Sequence, residues 1–183
     1  VTVAPDGNSP HMGDGFGMLV SRQPTEAGPR LLAAAERFGA QVEATLAGRL
    51  SEWEATAEGS LARILLLDQF TRNIFRGTAR AFAGDAHALP LAERLVGSGR
   101  DKNLPPLQRW FVFLPFEHSE DRQDQALSVH LFGQLGNENW TRYALAHQSI
   151  IERFARFPHR NSILGRTSTP DELAILDDPM GTF

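Results

Sequence analysis

The chain contains no cysteine, which excludes disulfides, thiolate nucleophiles and cysteine-ligated zinc or iron–sulfur centres. No apolar run approaches the roughly 20 residues that a membrane span needs. Residues 1–24 lack the basic segment followed by an apolar one that marks a secretory signal, so the expectation is a cytoplasmic protein without a membrane partner. Positive charge is not in excess: the formal net charge is −4, which argues against nucleic-acid binding by bulk electrostatics. Lysine occurs once, at Lys102, so nearly all basic character is arginine. Alternating strand patterns of useful length are absent. So are a Gly-x-Ser-x-Gly elbow, a His-Glu-x-x-His pair and a Glu-x-x-His pair, leaving no motif for a serine hydrolase, a metal or a cofactor.

What is present is a succession of helical patterns. The 183 residues suit one domain that buries roughly 70% of its unfolded surface. Residues 1–24, rich in Gly, Pro, Asp and Ser, read as a flexible arm, partly derived from cloning at Ser9-Pro10-His11-Met12. Residues 25–183 read as a single helical domain. Helices are expected from Pro29 to Gly48, from about Ser60 to Phe75, and over Ala86–Val96 with Asp85 as cap. The next starts at Pro105-Pro106 and stops at Pro115. Ser119 is the expected cap of a helix reaching Leu135. Another spans Glu138–Arg156, with an apolar stripe that includes Trp140, Tyr143, Ala144, His147 and Ile151. Thr169-Pro170-Asp171-Glu172 is a capping box opening a last, short helix. The fold class is all-α, with five to seven helices in antiparallel succession.

Three polar strings interrupt this apolar background. In the first, Asp68 and Arg72 are spaced i, i+4 on the same face as Leu61, Ile64 and Leu65, with Gln69 and Asn73 beside them and Arg76 just beyond. A buried charge stripped of its partner costs about 3–5 kcal/mol, so the pair is either a structural clasp or a ligand-facing patch. In the second, Glu117-His118-Ser119-Glu120 follows a proline break. His118 titrates near neutrality and suits a general base, with Glu117 or Glu120 to orient it. In the third, His159-Arg160-Asn161 follows Pro158, with Arg166 close behind, and arginine forks of this kind suit carboxylates and phosphates.

Leu67-Asp68-Gln69-Phe70-Thr71-Arg72-Asn73, Phe111-Val112-Phe113-Leu114-Pro115-Phe116-Glu117-His118-Ser119-Glu120 and Phe157-Pro158-His159-Arg160-Asn161 occur in the order that resembles the bacterial uncharacterised family DUF924. The likeness runs from about Arg30 to Leu176. It implies a helical fold similar to tetratricopeptide-repeat proteins and maps the family's strings onto Asp68, Gln69, Arg72, Asn73, Arg76, Glu117, His118, Ser119, Glu120, His159, Arg160, Asn161 and Arg166. It implies no settled reaction. Three departures stand out. Residues 1–29 lack the aromatic-rich helix with Trp-Phe pairs that usually opens the family. Thr71 stands where proline is usual, which predicts a straighter helix. Phe113 stands where tyrosine is common, which removes a phenol.

Three functional expectations follow. The strings form a cleft for a small anionic molecule or an acidic peptide end. Alternatively, they form a hydrolase or lyase site, with His118 as base and Arg72 and Arg160 stabilising negative charge. The third expectation is a buried polar lattice that only holds helices in register. A homo-oligomer is compatible with each.

Overall fold

The computed structural model describes residues 24–177. Helix α1 spans Pro24–Leu46, and just past its end Gly48, with a φ of +74°, reverses the chain. It starts ahead of Pro29, the expected first residue. Apart from Pro24, the arm expected over residues 1–24 lies outside the described residues.

A short 3₁₀ turn, Ser51–Ala55, leads into α2. This helix consists of Ala57–Ile64, a π-turn over Leu65–Phe70 and a final α-turn over Thr71–Ile74, without a break. Thr56 caps it, its side chain accepting from the Gly59 N–H. Thr71, at φ −59° and ψ −47°, continues the helix in regular α geometry. The coil widens into a π-turn just before that residue, and the Thr71 hydroxyl donates to the Leu67 carbonyl.

Helix α3 spans Asp85–Gly97, with Pro90 inside it. Asp85 is the first helical residue and not the cap; Gly84 takes the cap position without a side-chain bond. Helix α4 spans Pro106–Glu117 and passes through Pro115 to reach Glu117. The missing N–H of Pro115 falls in the last turn, where it removes one bond and leaves the helix able to finish. Helix α5 spans Arg122–Gly133 and is capped by Asp121, whose carboxylate accepts from Gln123 and Asp124 N–H. The expected cap, Ser119, instead accepts from the Asp121 N–H and donates to Asp124. Helix α6 spans Glu138–Phe154 with Asn137 as cap, and α7 spans Pro170–Asp177. The capping box of α7 forms as read: Glu172 N–H donates to Thr169 Oγ1, and Thr169 N–H donates to Glu172 Oε2.

No strand occurs among the described residues. Short connections make sequential helices neighbours, and α3–α4, α4–α5 and α5–α6 all pack together. The main core joins them through Leu61, Ile64, Leu67, Leu91, Leu95, Val112, Phe113, Phe116, Phe132 and Ala144, and a smaller cluster of Ile150, Ile151 and Phe157 lies at the end of α6. Phe113 is fully buried and meets Phe132 edge-on, with centroids 5.8 Å apart. Of the stripe read on α6, Ala144, His147, Ile150 and Ile151 are buried, but Tyr143 is 53% exposed. Among the described residues no helix is long and apolar enough to cross a membrane.

Candidate functional site

The π-turn of α2 buries three successive residues, Leu66, Leu67 and Asp68. Such turns recur at functional sites because they break the regular turn and re-aim side chains. Asp68 Oδ1 accepts from His118 Nδ1 at 2.7 Å and is ion-paired with Arg72 Nη1 at 2.9 Å, while the same Nη1 donates to the Asp68 main-chain carbonyl. Gln69 Nε2 donates to the other carboxylate oxygen. Burial alone would raise the Asp68 carboxyl, but Arg72 and His118 outweigh it and hold it well below the usual carboxylate range. Asp68 is therefore a buried, ionised acceptor.

Arg72 also closes a fork on Asp85 at the start of α3, with Nη1–Oδ1 at 2.7 Å and Nη2–Oδ2 at 2.9 Å. The i, i+4 pair read from the sequence is thus one arm of a three-residue bridge between α2 and α3.

His118 ends α4. Burial lowers its pKa, against the pull of Asp68, so the ring is neutral at neutral pH. Nδ1–H then donates to Asp68, which leaves Nε2 as the nitrogen with a free lone pair. Arg160, in the 3₁₀ turn Pro158–Arg160, donates from Nη2 to the His118 carbonyl at 3.0 Å. Its guanidinium lies between the rings of Phe82 and Phe157, at 4.8 and 4.5 Å from their centroids. Burial, with Arg72 nearby, pulls Arg160 down to about 10, still cationic at neutral pH.

These groups border an open cleft of about 280 Å³, lined by Asp68, Asp85, Ala86, Leu89, Pro115, His118, Ser119, Glu120 and Arg160. Four of the residues singled out as acid, base or ligand contact therefore share one opening: Asp68, His118, Glu120 and Arg160. Arg72 lies behind it. Gln69 supports Asp68, and Asn73 donates to the Gln69 carbonyl at 2.9 Å. Arg76 is exposed and reaches Asn73 Oδ1 at 3.4 Å. Glu117 turns away from the cleft, with Oε1 at 3.5 Å from His147 Nδ1. His159 is exposed and rests on Phe157. Asn161 is fully buried and donates to Ser168 Oγ at 3.0 Å. Arg166 forks onto Glu120 at 2.7 and 2.9 Å.

Glu117 thus cannot orient His118, although it precedes it in sequence. Consecutive residues on a helix point in different directions. Asp68, fifty positions earlier, takes that role. Asp85 is a lining residue expected only as a helix cap, and its place at this opening comes from the docking of α3 against α2. Among the described residues no group of three His, Asp or Glu side chains is arranged to hold a metal ion.

The profile of the bacterial family of unknown function DUF924 matches residues 32–180. A solved structure of ATU0120, a protein of unknown function from Agrobacterium tumefaciens, is 37% identical, with a TM-score of 0.78 over 90% of this chain and 96% of that one. No curated protein matches. With most of its length inside the family profile, the chain belongs to the DUF924 family.

Proposed function

We propose that the cleft is the active site of a small-molecule hydrolase or lyase in which His118 acts as general base, oriented by Asp68. The observation that carries this reading is the 2.7 Å contact between His118 Nδ1 and Asp68 Oδ1. A carboxylate on one ring nitrogen fixes the tautomer, leaves the other nitrogen basic, and stabilises the imidazolium that proton uptake creates. In the hydrolytic form, His118 Nε2 takes a proton from water and the resulting hydroxide oxygen bonds to the substrate carbonyl carbon. Collapse breaks the bond to the leaving group, which receives the proton back from His118. Arg160 supplies positive charge at the same opening. Water is the nucleophile in this scheme because the Ser119 hydroxyl is committed to Asp124.

Simple anion capture is less well supported. Of the four arginines expected to grasp a ligand, Arg160 lines the cleft, Arg76 lies outside its lining, and Arg72 and Arg166 are engaged by Asp68, Asp85 and Glu120. A purely structural lattice would leave no reason for an open cavity beside His118.

A panel of small esters, amides and β-substituted acids, assayed with the wild type and His118→Gln, tests the reading. General-base catalysis contributes roughly 10²–10⁴-fold, and a loss of that size in a variant with an unchanged melting temperature is the expected result. Equal turnover by the two proteins, or no turnover of any member by the wild type, overturns it.

A further inference from the structure

The cleft is not of one charge. Asp68, Asp85 and Glu120 line it, whereas Arg72 and Arg166, which neutralise them from behind, do not. The Asp85 and Glu120 side chains are 30% and 29% exposed; Asp85 accepts from Arg72, and Glu120 from Arg166 and the Phe157 N–H, so each carboxylate keeps acceptor capacity beyond the bonds it makes. Arg160 is the guanidinium at this surface. It is 6% exposed; Nη2 is held by the His118 carbonyl, Nε is unpartnered but sealed from solvent, and Nη1 stands 3.5 Å from Asp85 Oδ2, beyond good hydrogen-bond reach, and is the donor left for a ligand. A guanidinium has five donors, and a buried one with donors to spare is costly to maintain. The remaining wall is apolar: Ala86, Leu89 and Pro115.

Each single-charge ligand meets a penalty here. A phosphate or a dicarboxylate encounters three carboxylates around one arginine. A plain amine encounters Arg160. A molecule carrying both signs a few ångströms apart satisfies both sets, and a cavity of about 280 Å³ limits it to amino-acid size.

We propose that this cleft recognises a zwitterionic, amino-acid-like molecule, its carboxylate on Arg160, its ammonium between Asp85 and Glu120, and its side chain against Ala86, Leu89 and Pro115. The proposal rests on the reading of the cleft as the functional site and names the class of molecule it takes.

The test is binding, measured by titration calorimetry and thermal shift at neutral pH. Probes are the standard amino acids, with propylamine, propionate and inorganic phosphate for comparison. Amino acids with apolar side chains should raise the melting temperature and bind at least about tenfold more tightly than any single-charge probe, a difference of about 1.4 kcal/mol. Ala86 is exposed at the rim, so Ala86→Trp fills the cleft without disturbing the core and should abolish binding. Phosphate or propionate binding as tightly, no amino acid binding at millimolar concentration, or full binding by Ala86→Trp overturns the proposal. His118→Gln separates the two readings. Retained amino-acid binding in that variant supports the ligand class, whatever the variant does to turnover.

Discussion

Glu117 Oε1 faces His147 Nδ1 at 3.5 Å in the interior, and neither group is charged at neutral pH. Burial pushes the Glu117 carboxyl up to about 8, and the Asp68 carboxylate adds to the rise. Burial drags His147 down to about 3, although its Nδ1–H donates to the Tyr143 carbonyl at 2.9 Å. The contact is therefore between a protonated acid and a neutral imidazole, lying behind the Asp68–His118 pair.

This arrangement predicts a pH dependence with two opposed limbs. Glu117 has its folded pKa raised from 4.5 to about 8, so between those values the folded chain holds a proton that the unfolded chain has released. Stability from this group falls as pH rises through that window. His147 has its folded pKa depressed from 6.5 to about 3, so its contribution grows as pH rises toward 6.5 and then stays constant. Only the Glu117 limb remains above pH 6.5. The melting temperature should fall from pH 6.5 to 8, and Glu117→Gln should flatten that fall and gain up to about 3 kcal/mol at pH 7. Urea titrations of both proteins at pH 6, 7 and 8 measure this. A variant less stable than wild type at pH 8 would contradict it.

How much of this could be read from the residues depended on distance along the chain. Asp68 and Arg72 sit one helical turn apart, and that spacing alone predicted their contact. The fork from Arg72 to Asp85 spans a turn and a 3₁₀ segment, and Asp85 carries the signature of an ordinary cap, so its side chain's true partner was hidden. Ser119 and Asp121 both have capping chemistry two positions apart; local sequence does not choose between them, and packing chose Asp121. Pro115 reads as a stop because prolines usually end helices, yet in a last turn it costs too little to do so. Glu117 and His118 invited pairing by adjacency, where helix geometry separates them. Helix existence and the i, i+4 pair were legible, because they depend on local period. Cross-element partners depend on docking, which leaves no periodic trace.

Arg72 is the cation paired with the buried Asp68 and bridges it to Asp85, so its removal leaves Asp68 buried and ionised with only the neutral donors His118 and Gln69. Arg72→Met is expected to destabilise the fold by about 3–5 kcal/mol, the cost of an uncompensated buried charge. Arg72→Lys should recover only part of this, because an ammonium cannot form the two parallel bonds to Asp85. Denaturant titration at pH 7 gives both values. A loss under about 1 kcal/mol for Arg72→Met would place the bridge among weak surface pairs.

Gly84 controls how closely α3 approaches the π-turn. A Cβ there would lie 2.0 Å from the Leu67 carbonyl oxygen and 2.7 Å from its carbon. The Gly84 φ of −86° is one that any residue adopts, so the requirement is for space and not for backbone freedom. Both obstructing atoms are main chain, and the Leu67 oxygen also accepts the Thr71 hydroxyl, so neither can rotate aside. Gly84→Ala must push the start of α3 outward, and Asp85, the next residue, goes with it and away from Arg72. The expected loss is at least about 1–3 kcal/mol, the range for overpacking. Gly97→Ala, in the last turn of the same helix with open space around its Cβ, should change stability little or raise it by up to about 1 kcal/mol. Opposite signs for two identical substitutions in one helix, with amino-acid binding weakened only by Gly84→Ala, would tie the cleft's geometry to this single close approach; equal effects would detach it.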